Sequence, residues 1–143
     1  MQVTSITDGI IIDHVPAGRS LKVLDFLGID PRKTRLALIM NAQSPTFGTK
    51  DIIKIESDVV VDLNILALVA PSATVNVVRE GEIISKEKPA LPLHVTNVIT
   101  CVNPRCVTST ERGIKQQFHL VRGHEDARGM QYRCDYCDEE AKL

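Results

Sequence analysis

The chain has 143 residues, of which 43% are hydrophobic and 24% are charged, and its formal net charge is −1. This balance is typical of a globular chain and excludes a disordered or strongly basic one. The longest uncharged run, residues 63–78, contains a proline and several polar side chains, so the sequence predicts no membrane-spanning helix. The N-terminus has neither a basic segment nor a signal-type cleavage site, and we expect a cytoplasmic protein.

Aromatic residues are scarce, with two tyrosines, three phenylalanines and no tryptophan. The hydrophobic core must therefore consist mainly of Ile, Val, Leu and Ala. Such a composition favours β-strands and short aliphatic helices.

Apolar periodicity switches repeatedly between the strand and the helix pattern over the first 90 residues. In one strand, for example, Ile53 and Ile55 alternate with Lys54 and Glu56, which predicts one buried and one solvated face. The predicted elements, in chain order, are a strand at 9–15 that closes on Pro16, a helix at 21–27 ended by Gly28, strands at 34–41 and 50–56, a helix at 63–70 stopped by Pro71, and a hairpin of strands at 74–78 and 82–85 around Gly81.

This order predicts an α+β fold. Strand, helix, strand, strand, helix, strand is the order of the ferredoxin-like, or split βαβ, arrangement, in which two helices cover one face of an antiparallel sheet. Residues 86–92 contain charges and two prolines and are interpreted as an extended link. We therefore expect a first domain at residues 1–93 and a small β-rich second domain at residues 94–143.

The second domain contains all four cysteines of the chain, spaced as Cys-x4-Cys, a 27-residue insert, and Cys-x2-Cys. Two short turns of this kind can each supply two thiolates to one tetrahedral zinc ion. Four cysteines could instead form disulfides in three pairings, but a reducing compartment favours metal ligation. The predicted zinc ligands are Cys101, Cys106, Cys134 and Cys137.

A zinc ion with four sulfur ligands has no position left for a reactive water, so the predicted metal is structural. His119 and His124 are accordingly expected at the surface rather than as ligands. The sequence also contains no phosphate-binding P-loop and no Gly-x-Gly-x-x-Gly motif. It gives no catalytic signature, and we expect no enzymatic activity.

Charge is nearly balanced in both halves, with 10 Lys/Arg against 11 Asp/Glu in residues 1–100 and 7 against 7 in residues 101–143. A zinc domain that binds nucleic acid normally has excess positive charge. A nucleic-acid-binding zinc-ribbon protein is therefore only the alternative interpretation, and it predicts a basic patch.

Five features in chain order carry a resemblance to a known family. They are IDHVPA at residues 12–17, KDIIKIE at 50–56, APSATVN at 70–76, KEKPALP at 86–92, and the four cysteines. The chain resembles the regulatory subunits of aspartate carbamoyltransferase over essentially its whole length.

That resemblance implies an N-terminal allosteric domain that binds nucleotides and a C-terminal zinc domain that docks onto the catalytic chain. Regulatory chains of this family form dimers that bridge catalytic trimers and carry no catalytic residues. The implied effectors are ATP and CTP, with UTP as a further candidate, and the implied role is feedback control of pyrimidine biosynthesis. Neither nucleic acid nor membrane is an expected partner.

The resemblance also implies the residues of the effector site. Polar contacts are expected from Asp13, His14, Lys54, Asn76 and Lys86, with Lys50 as a further candidate for a phosphate contact. The implied apolar walls around the sugar and base are Ile6, Ile11, Val78 and Ile83. Around the zinc ion, contacts with the catalytic chain or support of that surface are expected from Asn103, Arg105 and Tyr136.

Overall fold

The structure is a computed structural model that describes residue 3, residues 5–123 and residues 129–143. The chain divides into two compact units, Met1–Ala90 and Leu91–Leu143.

The first unit contains five strands and two helices among its described residues. In chain order these are β1 (Gly9–Pro16), α1 (Ser20–Phe26), β2 (Leu36–Ser44), β3 (Gly48–Ile55), α2 (Leu63–Val69), β4 (Thr74–Arg79) and β5 (Glu82–Glu87). The second unit contains β6 (His94–Thr96), α3 (Val107–Thr110), β7 (Gln117–Arg122) and β8 (Gln131–Cys134).

The sheet of the first unit has the strand order β2-β3-β1-β4-β5, and every neighbouring pair is antiparallel. Its first four strands have the split βαβ order, and β5 extends the sheet beyond β4. The predicted α+β fold is confirmed. Alternate strand residues such as Ile12, Ile53 and Val75 pack with residues of both helices in one core, so the helices cover a single face of the sheet.

Local sequence signals define both helices. Helix α1 ends in a Schellman motif, in which Gly28 has a φ of +69° and the N–H groups of Gly28 and Ile29 donate to the carbonyls of Asp25 and Leu24. Asp62 caps the N-terminus of helix α2, and its carboxylate accepts the second and third N–H groups of the helix at 2.9 and 3.2 Å.

Two predicted boundaries are wrong. The hairpin of β2 and β3 is longer than expected, because only residues 45–47 separate the two strands. Lys86 and Glu87 belong to β5 rather than to the extended link, since Lys86 pairs with Asn76 of β4. The charged composition of this segment concealed an edge strand, in which exposed charges are common.

Asp51 is a fully buried carboxylate on the helix-facing side of β3. One oxygen accepts the backbone N–H groups of Gly18 at 3.0 Å and Ser20 at 3.3 Å, and the other accepts that of Asn41 at 3.0 Å. Burial opposes ionisation, but these donors outweigh it and lower the pKa of Asp51. The pairing of β2 with β3 shifts register between Ile39 and Ala42, and Asp51 joins the start of α1 to this bulge through Asn41.

The second unit has a three-stranded antiparallel sheet in the order β6-β7-β8. Its core contains two of the chain's few aromatic residues, Phe118 and Tyr132, both 1% exposed. The Tyr132 hydroxyl donates to the carbonyl of Pro92 at 2.6 Å, which ties the start of this unit to β8. In the described part of the chain, neither unit has a helix that is long and apolar enough to cross a membrane.

Candidate metal centre and sheet-face site

The four cysteines meet at one point, and their sulfur atoms all lie within 4.8 Å of one another. The Sγ atoms of Cys101 and Cys137 are 3.5 Å apart, and those of Cys106 and Cys134 are 3.8 Å apart. A tetrahedron with metal–sulfur bonds of about 2.3 Å has edges of about 3.8 Å. The sulfurs therefore fit the ligand positions of one tetrahedral metal ion, and all four cysteines are free thiols.

Two tight turns bring the cysteines together. In the first, the Asn103 side chain accepts the N–H of Arg105 at 3.0 Å, and the Asn103 carbonyl accepts the N–H of Cys106 at 3.1 Å. In the second, the N–H of Asp138 donates to the carbonyl of Cys134 at 2.9 Å. The second turn is joined to the sheet, because Cys134 ends β8.

The four sulfurs differ in their environments. Burial raises the pKa of Cys101 to about 12 and also raises that of Cys134. The Thr108 hydroxyl lies 3.1 Å from Cys106 Sγ and lowers the pKa of this thiol to about 7. Thr108 was not predicted as a functional residue, and nothing in the spacing of the cysteines points to it. A divalent cation favours the thiolate form at every position, so its binding is coupled to proton release.

The surface next to the metal centre presents apolar side chains. Val102 is 46% exposed and Tyr136 is 48% exposed, and each directly neighbours a cysteine in sequence. Asn103 stabilises the first turn from within, through the hydrogen bonds that its side chain and its carbonyl accept. His119 is partly exposed and contacts Asp135 at 2.5 Å rather than the sulfurs, whereas His124 lies outside the described residues.

A transverse row of residues crosses the sheet of the first unit. The strand register pairs Ile11 with Lys54 on one side and with Asn76 on the other, and pairs Asn76 with Lys86. Because Ile10 and Ile12 point into the core under the helices, this row lies on the open face. Three interstrand spacings of about 4.8 Å place the Cα atoms of Lys54 and Lys86 about 14 Å apart.

Asn76 lies at the centre of this row. Its side-chain oxygen is buried and, among the described residues, has no hydrogen-bond partner. A buried amide oxygen without a partner is costly, so it is a natural acceptor for a ligand's N–H group.

A second polar group lies at the end of β1, where the strand bulges between Ile12 and Val15. Lys50 Nζ is 2.9 Å from an Asp13 carboxylate oxygen, and this oxygen also accepts the backbone N–H of His14 at 2.6 Å. Both side chains of the ion pair are largely buried, with exposed fractions of 15% for Lys50 and 21% for Asp13. Lys50 is therefore firmly held beside Asp13 and His14.

The apolar residues implied by the resemblance have different environments. Val78 is buried, whereas Ile83 is 51% exposed on the edge strand β5, where it pairs with Val78. Ile6 lines a cavity of about 190 Å³, together with Lys54 of the row and residues of the β2 edge. The cavity is lined by Val3, Ser5, Ile6, Arg35, Leu36, Ala37, Lys54 and Glu56.

Comparison with known proteins gives matches over both units. Residues 1–90 match the family model described as the aspartate carbamoyltransferase regulatory chain, allosteric domain, and residues 93–142 match the corresponding metal binding domain. The aspartate carbamoyltransferase regulatory chain of Bifidobacterium longum (strain NCC 2705) is 64% identical over 143 residues and covers 100% of both chains. That of Clostridium botulinum (strain Hall) is 44% identical over 97% of this chain and 92% of its own. The regulatory chain of Clostridium tetani (strain Massachusetts) is 40% identical over 100% of this chain and 97% of its own length.

The two units and their sites define a protein with an allosteric domain and a separate metal-binding domain. The chain belongs to the family of aspartate carbamoyltransferase regulatory chains. It is therefore a non-catalytic regulatory subunit, and the family resemblance is confirmed over the full length. This assignment replaces the nucleic-acid-binding zinc-ribbon alternative.

Proposed function

We propose that the open face of the five-stranded sheet binds a nucleoside triphosphate, and that ATP and CTP compete for it, with UTP as a further candidate. The observation that carries this proposal is the register of Lys54, Ile11, Asn76 and Lys86 in one row across four strands. Two ammonium groups at the ends of a row about 14 Å long provide charge for a polyanion, and the residues between them provide apolar and amide contacts.

Asn76 gives a specific reason to expect that a nucleobase binds at this site. Adenine and cytosine both carry an exocyclic amino group, and the Asn76 oxygen, which has no partner among the residues that the structure describes, can accept a hydrogen bond from either. In the proposed complex Ile6, Ile11, Val78 and Ile83 contact the sugar and base. The Asp13 carboxylate accepts hydrogen bonds from ribose hydroxyls or base donors, and the His14 imidazole contacts the triphosphate.

The proposed resident metal of the second unit is zinc. Four cysteine sulfurs within 4.8 Å of one another match the all-sulfur tetrahedral set of structural zinc sites. In this role the ion supplies folding energy rather than chemistry. The chain's own thiolates hold it, and the turns around Asn103 and Tyr136 then form a surface for the catalytic chain.

The proposed biological role is heterotropic control of an aspartate carbamoyltransferase in the cytoplasm. Regulatory chains dimerise through their allosteric domains and dock onto catalytic trimers through their zinc domains, with the functional boundary near residue 93. Each nucleotide shifts the assembly only by its differential affinity for the low- and high-activity states, typically about 1–3 kcal/mol. Feedback control of pyrimidine biosynthesis follows if CTP and ATP favour opposite states.

Substitution of either row lysine is expected to weaken triphosphate binding. Lys54→Gln or Lys86→Gln removes a charged hydrogen bond, so each should raise the Kd for both ATP and CTP roughly tenfold or more. Isothermal titration of the zinc-loaded full chain measures this effect directly.

The matched control for this titration is Lys22→Gln, because Lys22 lies on α1 and therefore on the helix-covered face of the sheet. This variant should bind both nucleotides as the wild type does. An unchanged Kd in both row variants, or an equal loss in the Lys22 variant, would show that the nucleotides bind elsewhere.

A further inference from the structure

His14 is held in an unusual backbone conformation within the proposed nucleotide site. Its φ is +58°, in the left-handed region that residues other than glycine rarely adopt. Contacts from two strands and a loop maintain it. The His14 N–H donates to Asp13 at 2.6 Å, its carbonyl accepts the Ser72 hydroxyl at 2.9 Å, and its Nδ1 lies 3.1 Å from the Thr74 hydroxyl. Conformations that are fixed in this way concentrate at functional sites.

Phe47 provides a further contact with His14 from a different element. The two rings lie edge to face, with centroids 6.2 Å apart and an interplanar angle of 70°. Phe47 lies in the turn between β2 and β3, where its N–H donates to the Ser44 hydroxyl at 3.2 Å. This geometry is a favourable one for two aromatic rings.

The exposure of Phe47 needs a physical reason. Its side chain is 51% exposed, and it does not belong to the hydrophobic core of the first unit. A large aromatic ring at a turn therefore contributes little to core packing. Its contact with the His14 imidazole gives it a role at the site instead.

We propose that Phe47 is a positioning residue of the nucleotide site and acts through His14 on the triphosphate. This inference rests on the proposed nucleotide-binding function. Thr74 engages Nδ1, so Nε2 is the imidazole nitrogen left for a ligand oxygen. The Lys50 ammonium lies 2.9 Å from Asp13 and offsets the negative charge that this carboxylate places beside His14. Because the His14 side chain is 38% exposed, the Phe47 ring limits its rotamers before binding and lowers the entropic cost of the contact.

The test is isothermal titration of the zinc-loaded full chain with ATP and with CTP. Phe47→Ala should raise the Kd of both nucleotides by the same factor, roughly 3- to 10-fold, because the triphosphate is the part that they share. Phe47→Tyr keeps the ring and should restore binding to near the wild-type value. Thermal unfolding of all variants should be similar, because the ring lies outside the core.

A double-mutant cycle distinguishes positioning from a general structural effect. In a His14→Asn background, where asparagine tolerates the left-handed conformation, Phe47→Ala should cause no further loss of binding. Leu21→Ala is the matched control, since Leu21 is an exposed apolar residue on α1, and it should bind as the wild type does.

Two results would overturn the inference alone: wild-type affinity in the Phe47→Ala chain, or a further loss in the His14→Asn background. Failure of the wild-type chain to bind either nucleotide would overturn the proposed function and this inference together. Phe47→Trp gives an independent readout, because the chain has no tryptophan. Its fluorescence should change on addition of ATP, and an unchanged spectrum at saturating ATP would contradict contact of this side chain with a His14 imidazole that binds the ligand.

Discussion

Removal of the metal is expected to unfold residues 91–143 while residues 1–90 stay folded. The second unit has a small core, and three of its four clustered cysteines are buried. Burial raises the pKa of Cys101 to about 12, so this thiol is protonated at neutral pH unless a cation is bound. Structural zinc contributes about 10–16 kcal/mol of binding free energy, which exceeds the stability of a unit of this size.

Hydrogen exchange of the full chain, with and without a strong chelator, measures this effect. Protection in β7 and β8 should disappear after chelation and return when zinc is added back. The strands of the first unit serve as the internal control, because their core is separate from the cysteines. If β7 and β8 kept their protection in chelator, the metal would not be what folds this unit.

The loss of the metal should also abolish association with the catalytic chain. The turns next to the cysteines present Val102 and Tyr136. We expect these turns to keep their shape only when a metal holds the cysteines together. Cys106→Ser should act as chelation does. Sedimentation of mixtures with catalytic trimers measures the association, and a stable complex with metal-free chain would place the docking surface outside the second unit.

The second large effect is expected for Asp51. Asp51→Ala leaves the N–H groups of Gly18, Ser20 and Asn41 without their acceptor in a buried position, and we expect a loss of about 3–5 kcal/mol in the free energy of unfolding. Asp58→Ala is the matched control, because Asp58 is 91% exposed and forms a surface ion pair with Arg79. That control should change stability by less than about 0.5 kcal/mol.

The contribution of Asp51 to the free energy of unfolding should decrease on acidification. The pKa of Asp51 is lowered in the folded chain, so the carboxylate contributes stability that is fully present above its unfolded pKa, near 3.9. The contribution disappears as the pH falls through the lowered folded pKa. The stability difference between wild type and Asp51→Asn should therefore shrink below about pH 4. Urea unfolding at several pH values measures it, and a difference that grew on acidification would contradict this account.

The fold of the first unit was predictable because its signals are local. Alternation in β3, the glycine after α1 and the proline after α2 each specify one element, and the order of the elements restricts the topology. Asp51 could also have been found. The alternation that buries Ile53 and Ile55 extends back to residue 51, so a carboxylate there had to be buried and paired.

The cysteine cluster was predictable for a different reason. Short Cys-x4-Cys and Cys-x2-Cys spacings constrain each pair of sulfurs, and tetrahedral ligation leaves few ways to combine them. Thr108 and Tyr132 carried no such signal, because their roles depend on contacts across the folded unit.

The details of the sheet-face site could not be predicted from the amino-acid sequence. The bulge at Asp13 and His14 shifts the register between β1 and β3, and no residue type in this segment predicts a bulge. The contact between Phe47 and His14 joins positions 33 residues apart through that bulge and a three-residue turn. Such contacts follow from tertiary geometry and become visible only once the strands are paired.

The most direct test of the regulatory role is the aspartate saturation curve of the cognate catalytic trimer. It should be recorded with and without the zinc-loaded chain, in the presence of ATP or CTP. We expect nucleotides to shift the curve only when the chain is present, and Lys54→Gln to reduce the shift. If neither nucleotide changes the curve while the chain is present and its zinc content is intact, the regulatory role would be contradicted.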